Sequence, residues 1–481
     1  MVPAVRRSRE IGRSARPMSL PEADPGSFRD PGGRVFIGSD RVLRAVMERN
    51  APAFHAAQAT ELYEQLSEKR LLLSAREVPV SDLGPNGAGA VHALEHPLIP
   101  FISYPYEWSF AAHQQAALLH LDFHLEALKA GFTLTDATAY NVQFEGTQPV
   151  FIDHLSLRPY REGELWTGHR QFCMQFLNPL LFWSALATPP NAWFRGSLEG
   201  ITPEEIAALL PLRTKFSWTV FTHVVAQASL QRRALKGRST KTGLSQSQLP
   251  RRAFEGLLLG LRHYIAGLKR PSANTVWADY ATTNSYSDAQ AQEKQRFVQE
   301  MVTAVRPAIL FDLGCNSGDY SAAALDAGAG YVVGFDYDHA ALDRAFDRFR
   351  QDERRFLPLW LDAANPSPAQ GWAQGERRGL RERGSANALI ALAFIHHIVI
   401  GRNVPLPMAL DWLLSLAPTG VIEFPPKTDP MVQRLLTLRE DVFSEYDEGT
   451  FITALGARAR IVRTLHLSEN GRLLVWYDCR N

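Results

Sequence analysis

Cysteine is scarce in this chain of 481 residues. The three cysteines, Cys173, Cys315 and Cys479, lie far apart, and the sequence contains no CxxC pair and no Cys/His cluster at zinc spacing. This pattern excludes a disulfide framework, and a structural zinc site is not expected. It also predicts a reducing, cytoplasmic compartment.

Net charge and long apolar runs are lacking as well. With 51 basic and 50 acidic residues the formal charge is +1, so no nucleic-acid partner is expected. No run reaches the roughly 18 apolar residues of a membrane helix, because polar residues interrupt the longest candidates, 172–186 and 389–400. The first 18 residues are rich in arginine but lack an apolar stretch, so they are not a secretory signal. No membrane partner is therefore expected.

The composition, 46% hydrophobic and 21% charged, is that of a folded chain with more than one domain. Residues 1–25 are predicted to form a disordered tail. A first domain is predicted over 26–230 and a second over 253–481. The segment 231–252 between them contains seven Lys/Arg and no acid, which predicts a basic linker.

The clearest chemical pattern lies in the second domain. The apolar run AILFDL (308–313) is followed by GCNSG (314–318), a helical stretch (319–327) and a second strand (331–335) that ends at Asp336. A strand, a glycine turn, a helix and a second strand ending in an acid form a nucleotide-binding βαβ unit. The GxGxxG fingerprint of NAD-binding proteins is absent, because only Gly314 and Gly318 are present and three residues separate them.

The segment DLGCNSG resembles the DxGxGxG motif of class I S-adenosylmethionine-dependent methyltransferases, with Asn316 in place of the middle glycine. The resemblance implies a Rossmann-like α/β fold and S-adenosylmethionine as cofactor. The cofactor-binding residues that it implies are Asp312, Gly314, Asn316, Gly318, Asp336 as the ribose-binding acid and Asp362 near the adenine. The alternative is a Rossmann-like domain that has lost its cofactor.

The methyl acceptor is less defined by the sequence. The Asn/Asp-Pro-Pro-Tyr signature of amino-group methyltransferases is missing after the predicted fourth strand. The expected acceptor is a small molecule or a glycan-type hydroxyl. His396 and His397, at the end of a predicted fourth strand (388–398), are candidate catalytic residues because a histidine pKa lies near neutrality. Alternatively, they only shape the pocket. Glu423, near the end of a predicted fifth strand (421–424), and Lys427 and Asp429 after it could contact acceptor or cofactor, but as single charges they are expected to be solvated. In the segment 276–302, before the βαβ unit, Tyr280 and Tyr286 are weaker cofactor candidates.

The first domain combines a helical pattern (109–131), the segment DATAYN (136–141) and a hairpin that ends at Asp153. This order resembles protein kinases and aminoglycoside-type phosphotransferases, and it implies an α+β kinase-like domain with Mg-ATP as a second cofactor. In that family Asp136 would be the catalytic base, and Asn141 and Asp153 would bind Mg²⁺. The sequence departs from the family before Asp136, after Asp153 and in lacking a glycine-rich loop. The alternative is that these side chains satisfy local backbone groups.

Taken whole, the chain is similar to a bacterial group of two-part methyltransferases that includes nodulation-linked proteins of rhizobia. The segments that carry this similarity are ISYPYEWSF (102–110), DATAYNVQF (136–144), FIDHLSL (151–157), RQFCMQFLNPL (170–180) and DLGCNSGDYS (312–321). It implies a methyltransferase whose acceptor is unassigned. The competing hypothesis is a regulatory or scaffolding protein with a nucleotide-binding pseudokinase domain and a non-catalytic methyltransferase-like domain. The sequence does not fix the oligomeric state.

Overall fold

The computed structural model of the protein describes residues 22–38, 40–229, 248–271, 288–437, 440–467 and 471–480. Most of the predicted tail, most of the predicted linker and both Tyr280 and Tyr286 lie outside the described residues. The chain divides into two units, Met1–Pro52 with Ser74–Leu98, and Ala53–Leu73 with Ile99–Asn481. Among the described residues, no helix has both the length and the apolar character needed to cross a membrane.

The first unit contains an antiparallel sheet of five strands. They are β1 (Glu22–Ala23), β2 (Gly33–Ile37), β3 (Arg41–Met47), β4 (Arg76–Val78) and β5 (Ala90–Pro97), in the order β1-β2-β3-β5-β4. Its core is built from alternating apolar residues of these strands, such as Phe36, Leu43 and Ala93. On one face Arg41 forms an ion pair of 2.7 Å with Glu95.

The N-terminal part of the second unit is mainly helical and carries two small sheets. Its strands are β6 (Phe132–Leu134), β7 (Val142–Glu145), β8 (Gln148–Phe151) and β9 (Leu157–Pro159). Its helices are α1 (Ala51–Gln58, which begins in the first unit), α2 (Leu62–Glu68), α3 (Phe110–Lys129), α4 (His169–Phe172), α5 (Asn178–Leu186), α6 (Asn191–Gly196), α7 (Pro203–Leu209), α8 (Leu212–Lys215), α9 (Trp218–Val220) and α10 (Arg251–Ala266). The long helix predicted over 109–131 is confirmed as α3, which Ser109 caps by accepting a hydrogen bond from the Ala112 N–H.

The C-terminal part of the second unit is an open sheet of seven strands. They are β10 (Leu310–Leu313), β11 (Val332–Asp336), β12 (Phe356–Trp360), β13 (Ala388–Ala391), β14 (Thr419–Phe424), β15 (Arg460–His466) and β16 (Leu473–Asp478). The helices around it are α11 (Asp288–Val305), α12 (Asp319–Asp326), α13 (His339–Gln351), α14 (Ile395–Val399), α15 (Leu406–Leu416), α16 (Pro430–Leu436) and α17 (Glu448–Gly456).

The strand order of this sheet is β12-β11-β10-β13-β14-β16-β15. The first five strands are parallel, and β16 runs antiparallel to both of its neighbours. The chain leaves β10 toward one edge and returns to place β13 on the other side, so β10 and β13 flank a topological switch point. The expected Rossmann-like α/β domain is therefore confirmed as a fold.

The fourth strand is shorter than the sequence predicts. Instead of extending over 388–398, it ends at Ala391, and α14 begins at Ile395. Ala393 has a left-handed backbone, with φ of 47°, which ends the extended conformation. His396 and His397 therefore lie on a helix that follows the strand.

Within the second unit, the helical part and the seven-stranded sheet share buried polar contacts. The carboxylate of Asp343 on α13 accepts a hydrogen bond of 2.8 Å from the Ala111 N–H at the start of α3. The Tyr331 hydroxyl, next to β11, accepts one of 2.9 Å from the Gly146 N–H in the β7–β8 turn. These contacts join residues more than 180 positions apart and fix the two parts of this unit against each other.

Candidate functional site

A cavity of about 350 Å³ opens at the carboxyl ends of β10, β11 and β13. This is the edge, beside a switch point, where doubly wound sheets bind their ligands. Its volume is in the range of small-molecule and cofactor sites. Five of the residues predicted from the sequence line it: Gly314, Asn316, Asp336, Asp362 and His397.

The turn after β10 presents its backbone to this cavity. Gly314 and Gly318 both have left-handed backbones, with φ of +79° and +83°. Asn316, which stands where the motif has its middle glycine, is also left-handed, with φ of 48°. Asparagine is among the few residues other than glycine that adopt this conformation at low cost, which explains how it replaces glycine here.

The two glycines differ in what a side chain would meet. A Cβ on Gly314 would point between Phe394 and the Leu392 carbonyl, at 3.6 and 3.7 Å, where it would take up space in the cavity. A Cβ on Gly318 would lie 2.6 Å from the Phe349 ring, in the core. Gly318 therefore permits close packing beneath the turn and does not line the cavity.

Asp336 stands at the end of β11 and holds the turn. One carboxylate oxygen accepts a hydrogen bond of 2.8 Å from the Asn316 N–H, and the other accepts one of 2.8 Å from the Asp338 N–H. A carboxylate offers about four acceptor positions, so both oxygens keep capacity for a ligand that carries hydroxyl groups. Burial raises the pKa of Asp336 to about 6.

Asp312 lies below the cavity. It is buried at the end of β10, where its carboxylate accepts a 2.5 Å hydrogen bond from the Ser321 hydroxyl on α12. Burial raises its pKa to about 7. Asp312 therefore ties the start of the turn to the helix that follows it, and its side chain does not border the cavity.

The acid after β12 lies on the rim. The Asp362 carboxylate accepts a hydrogen bond of 3.1 Å from the Ala364 N–H and lies 3.5 Å from the guanidinium of Arg402. The Arg402 guanidinium also lies over the ring of Tyr337, 5.8 Å from its centre. A charged pair and an exposed aromatic ring thus border the open side of the cavity.

The two histidines are placed differently. His397 lines the cavity, and burial lowers its pKa to about 4. His396 is buried beneath it, where neither ring nitrogen has a hydrogen-bond partner among the described residues, and burial holds its pKa well below the usual range. The expectation of histidine pKa values near neutrality is therefore wrong for this environment.

Glu423 at the end of β14 and Asp429 after it are not solvated, contrary to the sequence-based expectation. Glu423 is fully buried between Lys294, at 2.7 Å, and Arg472, at 3.1 Å, and Arg472 also binds the buried Asp429 at 2.7 Å. A Glu423 oxygen accepts a 2.7 Å hydrogen bond from the N–H of Ala393, the left-handed residue at the cavity floor. This charge network fixes the backbone between β13 and α14.

Tyr337, Phe394 and Arg402 also lie on the cavity wall, and none of the three was predicted from the sequence. Tyr337 directly follows Asp336, so its position next to the candidate ribose acid was the available signal. Phe394 lies two residues before His396. No local pattern marks Arg402, because its place on the cavity wall depends on its contacts with the Tyr337 ring and the Asp362 carboxylate, which are distant in sequence.

The candidate residues of the N-terminal domain meet only in part. The Asn141 side-chain amide donates hydrogen bonds of 3.4 and 3.3 Å to the two Asp136 oxygens. Asp153 follows β8, where its carboxylate accepts a hydrogen bond of 3.1 Å from the Leu155 N–H and caps a short 3₁₀ turn. The Ile152 N–H donates to the Asn141 carbonyl at 2.9 Å, so the hairpin brings Asp153 back toward this pair.

The sheet order and the cavity at its switch point define a Rossmann-like α/β fold with a candidate nucleotide site. No family model matches the sequence. The chain is 45% identical over 462 residues to the nodulation protein NoeA of Rhizobium meliloti strain 1021, a match that covers 94% of this chain and 95% of NoeA. It belongs to the NoeA family of nodulation proteins.

Solved methyltransferase structures match part of the chain. One is the N-methyltransferase NodS of Bradyrhizobium japonicum WM9 in complex with S-adenosyl-L-homocysteine, at 11% identity and a TM-score of 0.31, covering 43% of this chain and 93% of NodS. Another is magnesium protoporphyrin IX methyltransferase of Synechocystis PCC 6803, at 19% identity and a TM-score of 0.30, covering 46% of this chain and 95% of that enzyme. Each match covers less than half of this chain.

Proposed function

We propose that the protein is an S-adenosylmethionine-dependent methyltransferase whose cofactor occupies the cavity at the end of β10, β11 and β13. The observation that carries the proposal is that Gly314, Asn316, Asp336 and Asp362, separated by up to 48 positions in sequence, border one cavity. The sequence motif predicts that these residues lie near one another. The cavity adds a space of the right size for a nucleoside.

The residues present fit this cofactor. A carboxylate at the end of a second strand accepts hydrogen bonds from the two hydroxyls of a ribose, and Asp336 has acceptor capacity left for them. Gly314 leaves its side of the cavity free of a side chain, so a ligand can approach the backbone. Asp362 stands where it can accept a hydrogen bond from an adenine amino group, and the apolar Leu361 borders the same wall.

When bound, the cofactor supplies an electrophilic methyl group on a sulfonium. The chain then has to align the acceptor and exclude water. His397 is on the cavity wall beside Phe394, in position to accept a hydrogen bond from an acceptor hydroxyl. With a pKa of about 4, its imidazole is neutral at physiological pH, which is the form that accepts.

For the acceptor we infer a small molecule or a glycan-type hydroxyl. The absence of the amino-group signature after β13 supports an oxygen acceptor, and the name of the relative NoeA supports a compound connected with nodulation. The N-terminal domain, 26–230, is proposed to bind or modify this acceptor, and the C-terminal domain, 253–481, to methylate it.

Calorimetric titration with S-adenosyl-L-homocysteine tests the cofactor directly. We expect one site per chain and no binding of NAD, since the NAD fingerprint is missing. A folded chain that binds neither S-adenosylmethionine nor its demethylated product at millimolar concentration would contradict the proposal. Release of the demethylated product upon addition of small-molecule extracts would then identify the acceptor class.

A kinase-like role for the N-terminal domain is a second proposal, supported only by the contact between Asn141 and Asp136. The comparisons lend no support to Mg-ATP. In this proposal Asp153 is the main Mg²⁺ ligand, because a carboxylate suits a hard divalent cation better than an amide. Asp153→Asn should then weaken Mg-ATP binding, and Asp136→Asn should preserve binding but stop phosphoryl transfer. Binding without turnover would favour the regulatory alternative, and no binding by the folded chain would contradict both.

A further inference from the structure

A cluster of two histidines and one cysteine lies in the second unit and shares no residue with the cavity at β10, β11 and β13. His169 Nε2 lies 2.7 Å from His223 Nδ1 and 3.7 Å from the Cys173 sulfur. The three potential ligand atoms all lie within 4.8 Å of one another. Cys173 and His223 are buried, and His169 is largely so. The sequence spacing did not predict this cluster, because the fold brings His223 to the other two residues from 54 positions away from His169.

The local helical geometry brings these side chains together. His169 and Cys173 are four residues apart, so they lie on the same face of consecutive helical turns. At Cys173 the helix changes to a π-helical turn, Cys173–Leu177, and His223 lies in a second π-helical turn, Phe221–Val225. Turns of this kind are rare and are frequently found at functional sites. Here two of them each contribute a member of one cluster.

The two separations that involve His169 are near those that a tetrahedral metal ion requires, and the third, between His223 and Cys173, is at most 4.8 Å. With metal–nitrogen bonds of about 2.0 Å and metal–sulfur bonds of about 2.3 Å, ligand atoms are separated by roughly 3.3 Å for two nitrogens and roughly 3.5 Å for nitrogen and sulfur. The His169–Cys173 separation of 3.7 Å already matches. The hydrogen bond between His169 and His223 would have to open by roughly 0.6 Å, a change that side-chain rotation can supply.

A supporting residue is in place behind His169. The side-chain amide of Gln227, one helical turn after His223, lies 2.6 Å from His169 Nδ1. The Gln227 amide oxygen has no hydrogen-bond partner among the described residues. If the amide group is flipped so that its oxygen and nitrogen change places, the oxygen accepts a hydrogen bond from the His169 Nδ1–H. The other ring nitrogen, Nε2, is then unprotonated and directed at the centre of the cluster, as in metal sites whose histidines are oriented by a second partner.

We propose that His169, Cys173 and His223 bind a zinc-type divalent ion through two imidazole nitrogens and one thiolate, with water in the fourth position. Nitrogen and thiolate ligands select Zn²⁺ and related ions over Mg²⁺ and Ca²⁺, which prefer oxygen. On binding, a metal–sulfur bond forms, and the Cys173 thiol proton passes to solvent. No other protein group changes charge.

Cobalt titration of the full-length chain tests the proposal, because Co²⁺ takes zinc sites and reports thiolate ligation by a charge-transfer band in the near ultraviolet. After removal of metal with a chelator, we expect one Co²⁺ per chain, the charge-transfer band, and displacement of Co²⁺ by Zn²⁺. Cys173→Ser should abolish the band. Cys479→Ser, which changes an exposed cysteine, is the matched control and should leave the band intact.

Gln227→Ala provides a graded test, since loss of a residue that orients a ligand weakens metal binding by about 10- to 100-fold. Absence of stoichiometric binding by the unmodified chain, or an unchanged band in folded Cys173→Ser, would overturn the proposal and leave a hydrogen-bonded core cluster. If circular dichroism shows that Cys173→Ser does not fold, His223→Gln decides by the same criteria, with loss of the band supporting the site and retention overturning it.

Discussion

Replacement of Asp336 by asparagine is the most direct test of the candidate cofactor site. Its carboxylate accepts backbone N–H groups from both Asn316 and Asp338, at 2.8 Å each, and it also borders the cavity. Asparagine keeps the shape and one acceptor oxygen. It removes the charge, and it places an amide group where an oxygen accepted a backbone hydrogen bond.

The expected loss follows from the chemistry of a charged acceptor. Hydrogen bonds to charged groups contribute roughly 1.5–3 kcal/mol, compared with about 1 kcal/mol for neutral pairs. If Asp336→Asn removes the equivalent of one charged hydrogen bond to the ribose hydroxyls, binding of S-adenosyl-L-homocysteine should weaken by roughly 10- to 150-fold, at about 1.4 kcal/mol per factor of ten. Isothermal titration calorimetry measures the change, and circular dichroism confirms that the fold is kept.

Asp319→Asn is the matched control for the charge. Asp319 belongs to the first turn of α12, close in sequence to the same turn, but its side chain is 63% exposed and pairs with Arg348 at 2.5 Å. The substitution is chemically identical to Asp336→Asn. Because exposed pairs contribute little, affinity should stay within about twofold of the unmodified chain.

The pH dependence gives a second readout of the same residue. Since burial raises the Asp336 pKa to about 6, the carboxyl becomes protonated as the pH falls through that value. The ionised form is the better acceptor for hydroxyls, so ligand affinity should be constant above about pH 7 and weaken below about pH 6. Asp336→Asn should remove this dependence. A folded Asp336→Asn protein with unchanged affinity and an unchanged pH profile would refute the assignment of Asp336 to the site.

Three further substitutions test other parts of the structure. Gly314→Ala should abolish binding of S-adenosyl-L-homocysteine in a titration. Gly328 is the matched control, because it also has a positive φ, +104°, but no heavy atom lies within 4 Å of its Cβ position. Gly328→Ala should therefore lower the melting temperature and leave the affinity unchanged. Arg383→Met should cost about 3–5 kcal/mol in denaturant unfolding, because it leaves the carboxylate of Glu107 buried without its 2.6 Å partner, and adding Glu107→Gln should recover part of the loss. Asp312→Asn should raise the melting temperature more at pH 8 than at pH 5. A buried carboxyl with a pKa of about 7 lowers the free energy of unfolding progressively as the pH rises from about 4 to 7, and asparagine carries no such charge. Equal changes in melting temperature at both pH values would contradict this origin.

The part of the fold that the sequence could predict is local in the chain. The apolar run before Gly314 and the run that ends at Asp336 are both strands, and the helix between them begins where the glycine turn ends. These features depend on residues within about 25 positions of each other, where periodicity and turn chemistry determine the structure. The cavity-lining positions of Asp336 and Gly314 follow from the same pattern.

Features that depend on distant partners were not predictable. Glu423 follows an apolar stretch and was expected in solvent, but Lys294 and Arg472, which are 129 and 49 positions away, bury and neutralise it. The cluster of His169, Cys173 and His223 is a similar case. Spacing rules for metal ligands identify His169 and Cys173 only as an isolated pair, because the third member is 54 positions from His169.

The lowered pKa of His397 bears on how a hydroxyl acceptor would lose its proton under the proposed function. An imidazole with a pKa of about 4 is too weak a base to remove the proton of a neutral hydroxyl before the methyl group moves. Once the carbon–oxygen bond forms and the carbon–sulfur bond breaks, however, the acceptor oxygen is positively charged and far more acidic than an imidazolium. His397 can accept the proton at that stage and pass it to solvent. Burial of His397 therefore favours proton transfer late in the reaction, so the residue's earlier contribution is to align the hydroxyl by accepting its hydrogen bond.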